Sequence, residues 1–170
     1  MTVESLDRAE AAEAVDAVFA GLSQQSRYLR FHAPVPRLPP SVRARLVDVD
    51  GRRHVAVVAR VRGRPVGIAR AIGGDGGSAE LAVAVVDAWQ RCGVGTRLLT
   101  ALGALAERHG HRELRGAVLP ENTGMQALAR RVAPWARARF DGEVVQLTVP
   151  LGAAAWTITH EDLMADLLGP

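Results

Sequence analysis

Between an apolar run at residues 79–86 and an amphipathic stretch at 92–109, the chain reads Gln90-Arg91-Cys92-Gly93-Val94-Gly95. Glycines two apart at a helix start let the backbone pass close to a ligand and leave amides unscreened by a Cβ. Such amides, together with the positive end of the helix dipole, form a site for phosphate. Arg91 and Arg97 stand near enough in sequence to add charged donors. The same residues also fit a tight strand-to-helix turn with ordinary caps, and the spacing alone does not choose. Two familiar phosphate sites are excluded. A Walker loop needs Gly-Lys-Ser/Thr, and the chain has no lysine; the dinucleotide fingerprint needs a third glycine where this chain has Leu98.

Other chemistry-bearing side chains are sparse. Cys92 is the single cysteine, so no intramolecular disulfide forms; a helix N-terminus can lower a thiol pKa, but this side chain need not face a ligand, and no covalent role is expected. His109 and His111 flank Gly110 without a third or fourth ligand at workable spacing, so no metal is expected. His32 and His54 stand alone. The segment SQQSRYLRFHAPVPRLPP, residues 23–40, concentrates polar and aromatic groups with four prolines. With Arg43 and Arg45 it reads either as a rim that attracts acidic partners or as a solvated basic edge over packed Tyr28 and Phe31.

The elements that must position these groups follow from periodicity. Residues 7–20 read as a helix, capped by Asp7 with Glu10 three positions on, Ala11, Ala14, Val15 and Val18 sharing one face. Short helical stretches are expected at 27–31 and 41–47. Valine-rich strands are expected at 54–62 and 65–72, joined by a turn at Gly63-Arg64, and a third follows the glycine turn 73–77 at 79–86. A long helix spans 92–109 with Gly110 closing it, then a strand at 113–119 and a helix at 122–132. A final hairpin is expected from 135–140 and 143–149 around Asp141-Gly142, with Trp135 and Phe140 packing in it. A short helix at 158–168, capped by Thr159, lies in a tail at 152–170. The order implies one mixed α/β layer architecture, a single domain over residues 1–170.

Composition agrees with a folded domain. The chain has 170 residues, 48% hydrophobic and 23% charged, with 21 basic residues, all arginine, against 18 acidic ones. Their mixing along the chain argues against a nucleic-acid partner. The longest apolar run is far short of the roughly 20 residues that span a bilayer, and the acidic N-terminal stretch does not read as a signal peptide. A cytoplasmic protein with no membrane partner is expected.

Gln90-x-x-Gly93-x-Gly95, after a strand and opening a long helix, resembles the acetyl-CoA pyrophosphate signature of the GNAT N-acetyltransferases. The likeness runs from about residue 23 to 151. It is similar in more detail to the GNAT domain of bacterial protein-lysine acetyltransferases, through Ser23…Ser26-x-Tyr28-x-Arg30-Phe31, Ala79-Glu80, Val86-x-x-x-Gln90 and Leu119-x-Glu121-Asn122-x-x-Met125. The resemblance implies a central, mostly antiparallel, splayed sheet flanked by helices. It implies that pantetheine pairs with backbone at Val83 to Val85, and that the pyrophosphate meets Gln90 and the amides of Arg91, Cys92, Gly93, Val94, Gly95 and Thr96. Asn122 would lie beside the pantetheine arm, and Tyr28, Arg30 and His32 would face the acceptor.

Acetyl transfer to an amine needs a base, because an alkylammonium holds its proton to about pH 10. Glu80, opening an otherwise apolar strand, matches the glutamate that serves as general base in many GNAT relatives. Its alternative is a surface acid answering Arg70 across the hairpin. A backbone amide at Val85 or its neighbour is the implied polarising donor. The tyrosine that many relatives carry in the helix after the Asn122 position is missing, since this chain has Arg130-Arg131-Val132-Ala133 there. The thiolate then leaves as such and takes its proton from water. The implied reaction is direct attack in a ternary complex on a protein lysine. A small amine and a non-catalytic acyl-CoA-binding or sensory domain are the alternatives. A homodimer through the apolar stretch 144–156 is a further expectation.

Overall fold

Strand runs that alternate between two apolar faces need a cover on each side, and the helices supply both. The computed structural model describes residues 1–152. Its strands are β1 (Thr2–Ser5), β2 (His54–Val61), β3 (Arg64–Gly73), β4 (Ser78–Val85), β5 (Glu113–Val118), β6 (Arg137–Phe140) and β7 (Val145–Pro150). The helices are α1 (Arg8–Ala20), α2 (Gln24–Phe31), α3 (Pro40–Val47), α4 (Val94–Arg108) and α5 (Thr123–Val132). The strands form one sheet in the order β1-β2-β3-β4-β5-β7-β6.

On one face, Val55, Val57, Ala69, Ala71 and Leu81 pack with Leu98, Leu99, Leu102 and Ala106 of α4. Leu98 and Leu102 are fully buried, each contributing about 1.5–3 kcal/mol by removal from water. The helix lies close because Gly67 leaves room: a Cβ there would stand 2.9 Å from Leu98 Cδ1. On the other face, Ala56, Val58 and Ile68 meet Ala11, Ala14, Val15 and Val18 of α1. Asp7 caps that helix, accepting from the Glu10 amide at 2.9 Å.

Every strand pair is antiparallel except β4–β5, and this exception makes the site. The parallel pairing holds only for Ser78, Ala79 and Glu80 against Glu113, Leu114 and Arg115. Past that point β4 stays with β3 to Val85 while β5 follows β7 to Val118. A wedge opens between them.

Several details differ from the sequence expectation. The β2–β3 turn falls on Arg62-Gly63, not Gly63-Arg64, because Val61 pairs with Arg64 and both turn residues take positive φ, 50° and 78°. That is the twist a two-residue hairpin needs. Strand β1 was not foreseen; four mostly exposed residues carry too little alternation to read. Trp135 precedes β6 instead of opening it and donates from Nε1 to the Pro150 carbonyl at 3.2 Å. Phe140 does not pack in the hairpin but is 58% exposed. The helix expected at 158–168 and the end of the stretch 144–156 lie outside the described residues.

Candidate active site

The wedge between β4 and β5 continues into a cleft of about 710 Å3. Its β4 wall carries Glu80, Val83 and Val85; its far wall is Gly116 to Val118 of β5. The start of α4 closes one end with Gln90, Arg91, Gly93, Gly95 and Thr96, and α5 closes the side with Asn122, Met125, Leu128 and Arg131. Arg30 and His32, at the end of α2, line the opposite end.

The glycine turn is built for close approach. Gly93 takes φ +77° as the residue before α4, and Arg91 takes φ +59°. The first-turn amides of α4 have no intrahelical acceptor and lie at the positive end of the helix dipole. A Cβ on Gly95 would stand 2.9 Å from Leu128 Cδ2, so this glycine also sets how near α5 comes to α4. Two residues expected at the cofactor do not present side chains to the cleft. Val94 is buried in the core, and Cys92 is exposed with its Sγ 3.4 Å from the Gln90 carbonyl. Only their backbone can take part.

Gln90 is used structurally as well. Its Nε2 donates to the Val85 carbonyl at 3.0 Å, to Ser26 Oγ at 3.2 Å and to Asp87 Oδ1 at 3.3 Å. Asp87 also accepts from the Ser23 amide. Burial pushes the Asp87 carboxyl up, but hydrogen bonds from Ser23 and Ser26 together outweigh it and hold the group below its ordinary range. These contacts tie α2 to the α4 rim. On the β5 rim Tyr28 OH lies 3.4 Å from Glu121 Oε1, so Tyr28 fastens α2 to that side and does not line the cleft. Asn122 lines it, yet its Oδ1 is engaged in capping α5, accepting from the Met125 amide at 3.0 Å.

Glu80 is exposed to the cleft. It pairs in register with Ile72, whereas Arg70 stands opposite Ala82, so the two do not answer one another across the hairpin. Arg70 is buried at 5% exposure and donates from Nη1 to the Leu46 carbonyl at 2.6 Å. The same nitrogen lies 3.5 Å from His54 Nε2. The donor there is the arginine, so His54 carries its proton on Nδ1, which faces the Asp48 carbonyl at 2.9 Å. Burial, with Arg30 adding to it, brings the Arg70 guanidinium down to about 9. Neither Arg70 nor His54 was recognised as a pair from the sequence. Arg131 was seen only as a departure from tyrosine; its i, i+3 spacing from Leu128 was the available signal. Among the described residues no group of three or more His, Cys, Asp and Glu side chains could hold a metal ion.

Residues 19–133 match the acetyltransferase (GNAT) family, more than half of the chain. The chain belongs to the GNAT acetyltransferase family. Within it, a Pseudomonas aeruginosa protein named acetyltransferase PA5475 is 31% identical over 112 residues, 63% of this chain and 60% of that relative. This GNAT chain thus spans less than two thirds of that relative's length. The crystal structure of the GNAT domain of S. lividans PAT superposes with a TM-score of 0.79 at 29% identity, covering 88% of this chain and 89% of that one. A Sinorhizobium meliloti GNAT phosphinothricin acetyltransferase in complex with AcCoA shares the fold, with a TM-score of 0.70 at 17% identity over 97% and 96% of the two chains. The mixed α/β, largely antiparallel and splayed sheet is therefore the GNAT fold, that of an enzyme family. Among the described residues no helix is long and apolar enough to cross a membrane.

Proposed function

We propose that this GNAT chain transfers acetyl from acetyl-CoA to a protein lysine, by direct attack in a ternary complex with Glu80 as general base. The observation that carries the reading is the position of Glu80: exposed to the cleft at the last position where β4 pairs with β5, on the strand whose far end meets the glycine turn. Acetyl-CoA supplies the activated thioester. The residues present fit it, because the first-turn amides of α4 offer donors for a pyrophosphate and the open edge of β4 at Val83 to Val85 offers backbone groups to an amide-bearing arm.

Glu80 accepts the proton of the ammonium, leaving a neutral amine to attack the thioester carbon. A backbone amide at Val85 is proposed as donor to the carbonyl oxygen, where negative charge grows. The attacking nitrogen then gives its second proton to water, the C–S bond breaks and the thiolate leaves, taking a proton from water; no tyrosine is available on α5 to supply it. Arg30 and His32 orient the acceptor from the end of α2. Tyr28 supports that end through Glu121 and is proposed as a positioning residue, not an acceptor contact. A protein lysine is favoured by the residues shared with protein-lysine acetyltransferases, from Ser23 through Phe31.

The test is mass-spectrometric detection of acetyl transfer to lysine-bearing proteins, to peptides and to small amines. Acetyl-lysine formed by the wild type and lost in Glu80→Gln supports the proposal. Turnover of small amines alone removes the lysine acceptor. Binding of acetyl-CoA without transfer to any amine would make the chain a non-catalytic acyl-CoA-binding domain.

A further inference from the structure

The acceptor side of the cleft carries more positive charge than the described residues balance. Arg30 lies between the cleft and a smaller cavity of about 30 Å3, which Arg70, Ala82 and Ala84 also line. Its guanidinium stands 5.0 Å from the centre of the Phe31 ring and makes no hydrogen bond or ion pair with any described residue. Behind it, Arg70 is held in place by the Leu46 carbonyl and His54. Burial lowers both guanidiniums from the ordinary arginine range, and the charge of Arg30 lowers Arg70 further. Among the described residues, the one carboxylate whose charge Arg30 feels is Glu80, two residues from Ala82 on the same face of β4.

Arg30 thus has Glu80 as its counter-charge, while Arg70 adds positive charge behind it. That carboxylate loses its charge when it accepts the amine's proton, so the imbalance is greatest during the reaction. A partly desolvated cation without a partner is unfavourable, and the planar arginine fork matches a carboxylate. The alanines at 82 and 84 leave space in front of it.

We propose that Arg30, backed by Arg70, receives a carboxylate of the acceptor, so that the amine presented to Glu80 belongs to a molecule with an acidic group close by. This rests on the transfer reading above and narrows its substrate class. On a protein acceptor the carboxylate is an Asp or Glu side chain flanking the lysine; the other source of the same chemistry is a free amino acid.

The experiment compares kcat/KM for two peptides differing only in Glu or Gln beside a single lysine, and for free amino acids, with wild type, Arg30→Gln and Arg30→Lys. The acidic peptide should be preferred by about tenfold, mainly through KM, as a charge-assisted hydrogen bond implies. Arg30→Gln should bring the ratio near one, and Arg30→Lys should keep part of it. Faster turnover of free amino acids, with the same dependence on Arg30, supports the carboxylate site and assigns it to a small acceptor. Equal use of both peptides by the wild type overturns the inference without recourse to any variant, and so does an unchanged preference in Arg30→Gln. Absence of transfer to every amine, with acetyl-CoA still bound, overturns the transfer reading itself; a wild type that transfers but does not prefer the acidic peptide overturns only the carboxylate site.

Discussion

Glu80 and Arg115 are the last two residues at which β4 and β5 lie side by side. One step further, each strand keeps only its antiparallel partner, β3 or β7, and the cleft begins. The proposed base thus sits at the vertex of the wedge, where strand pairing still holds its backbone and solvent already reaches its side chain. A group fixed at such a point is positioned by the sheet rather than by a loop.

Replacing Glu80 by Gln preserves shape and removes the proton acceptor. Turnover at neutral pH should fall by about 10²–10⁴, the range for loss of general base catalysis. The dissociation constant for acetyl-CoA should change little, because the glycine turn lies at the other end of β4. Steady-state kinetics beside a binding titration checks both.

Bulk at Gly95 acts through α5. An alanine Cβ meets only the end of the Leu128 side chain, which can rotate away, so Gly95→Ala should fold normally. A leucine there must displace α5 from α4. Acetyl-CoA affinity should fall by about tenfold or more, with a lowered Tm, measured by calorimetry and thermal melting.

Gly67 offers a stability test away from the cleft lining. Its Cβ would meet Leu98 Cδ1 at 2.9 Å, the Ala84 carbonyl at 3.2 Å and Val94 Cγ1 at 3.3 Å. Gly67→Val should destabilise by about 1–3 kcal/mol through overpacking, read from denaturant midpoints.

His54 gives a pH dependence whose sign is fixed. Burial first, then the charge of Arg70, lowers it from its ordinary value of 6.5. The unfolded chain therefore binds more protons near that pH, and stability is full above 6.5 and falls as the pH drops below it. His111, also lowered by burial, acts in the same direction. Unfolding at pH values between roughly 5 and 8 should show this slope, and His54→Gln should flatten it.

The long elements were legible because their periodicity is strong: the Leu98, Leu99, Leu102 and Leu105 stripe gave α4, and the valine runs gave β2 to β4. The resemblance around Gln90, Gly93 and Gly95 located the cleft end. Side-chain direction was not legible. Cys92 and Val94 share the motif yet point elsewhere, and Tyr28 turns to Glu121. The pairing of Arg70 with His54 depends on β2 and β3 being neighbours in a given register, which brings residues sixteen apart together. No local pattern announces that.

The most direct test of the account is a calorimetric titration of the wild-type protein with acetyl-CoA, repeated on Gly95→Leu. Saturable 1:1 binding, weakened in the variant, is the predicted result and places the cofactor between β4 and β5. Absence of binding at millimolar acetyl-CoA by folded wild-type protein would contradict the account at its base.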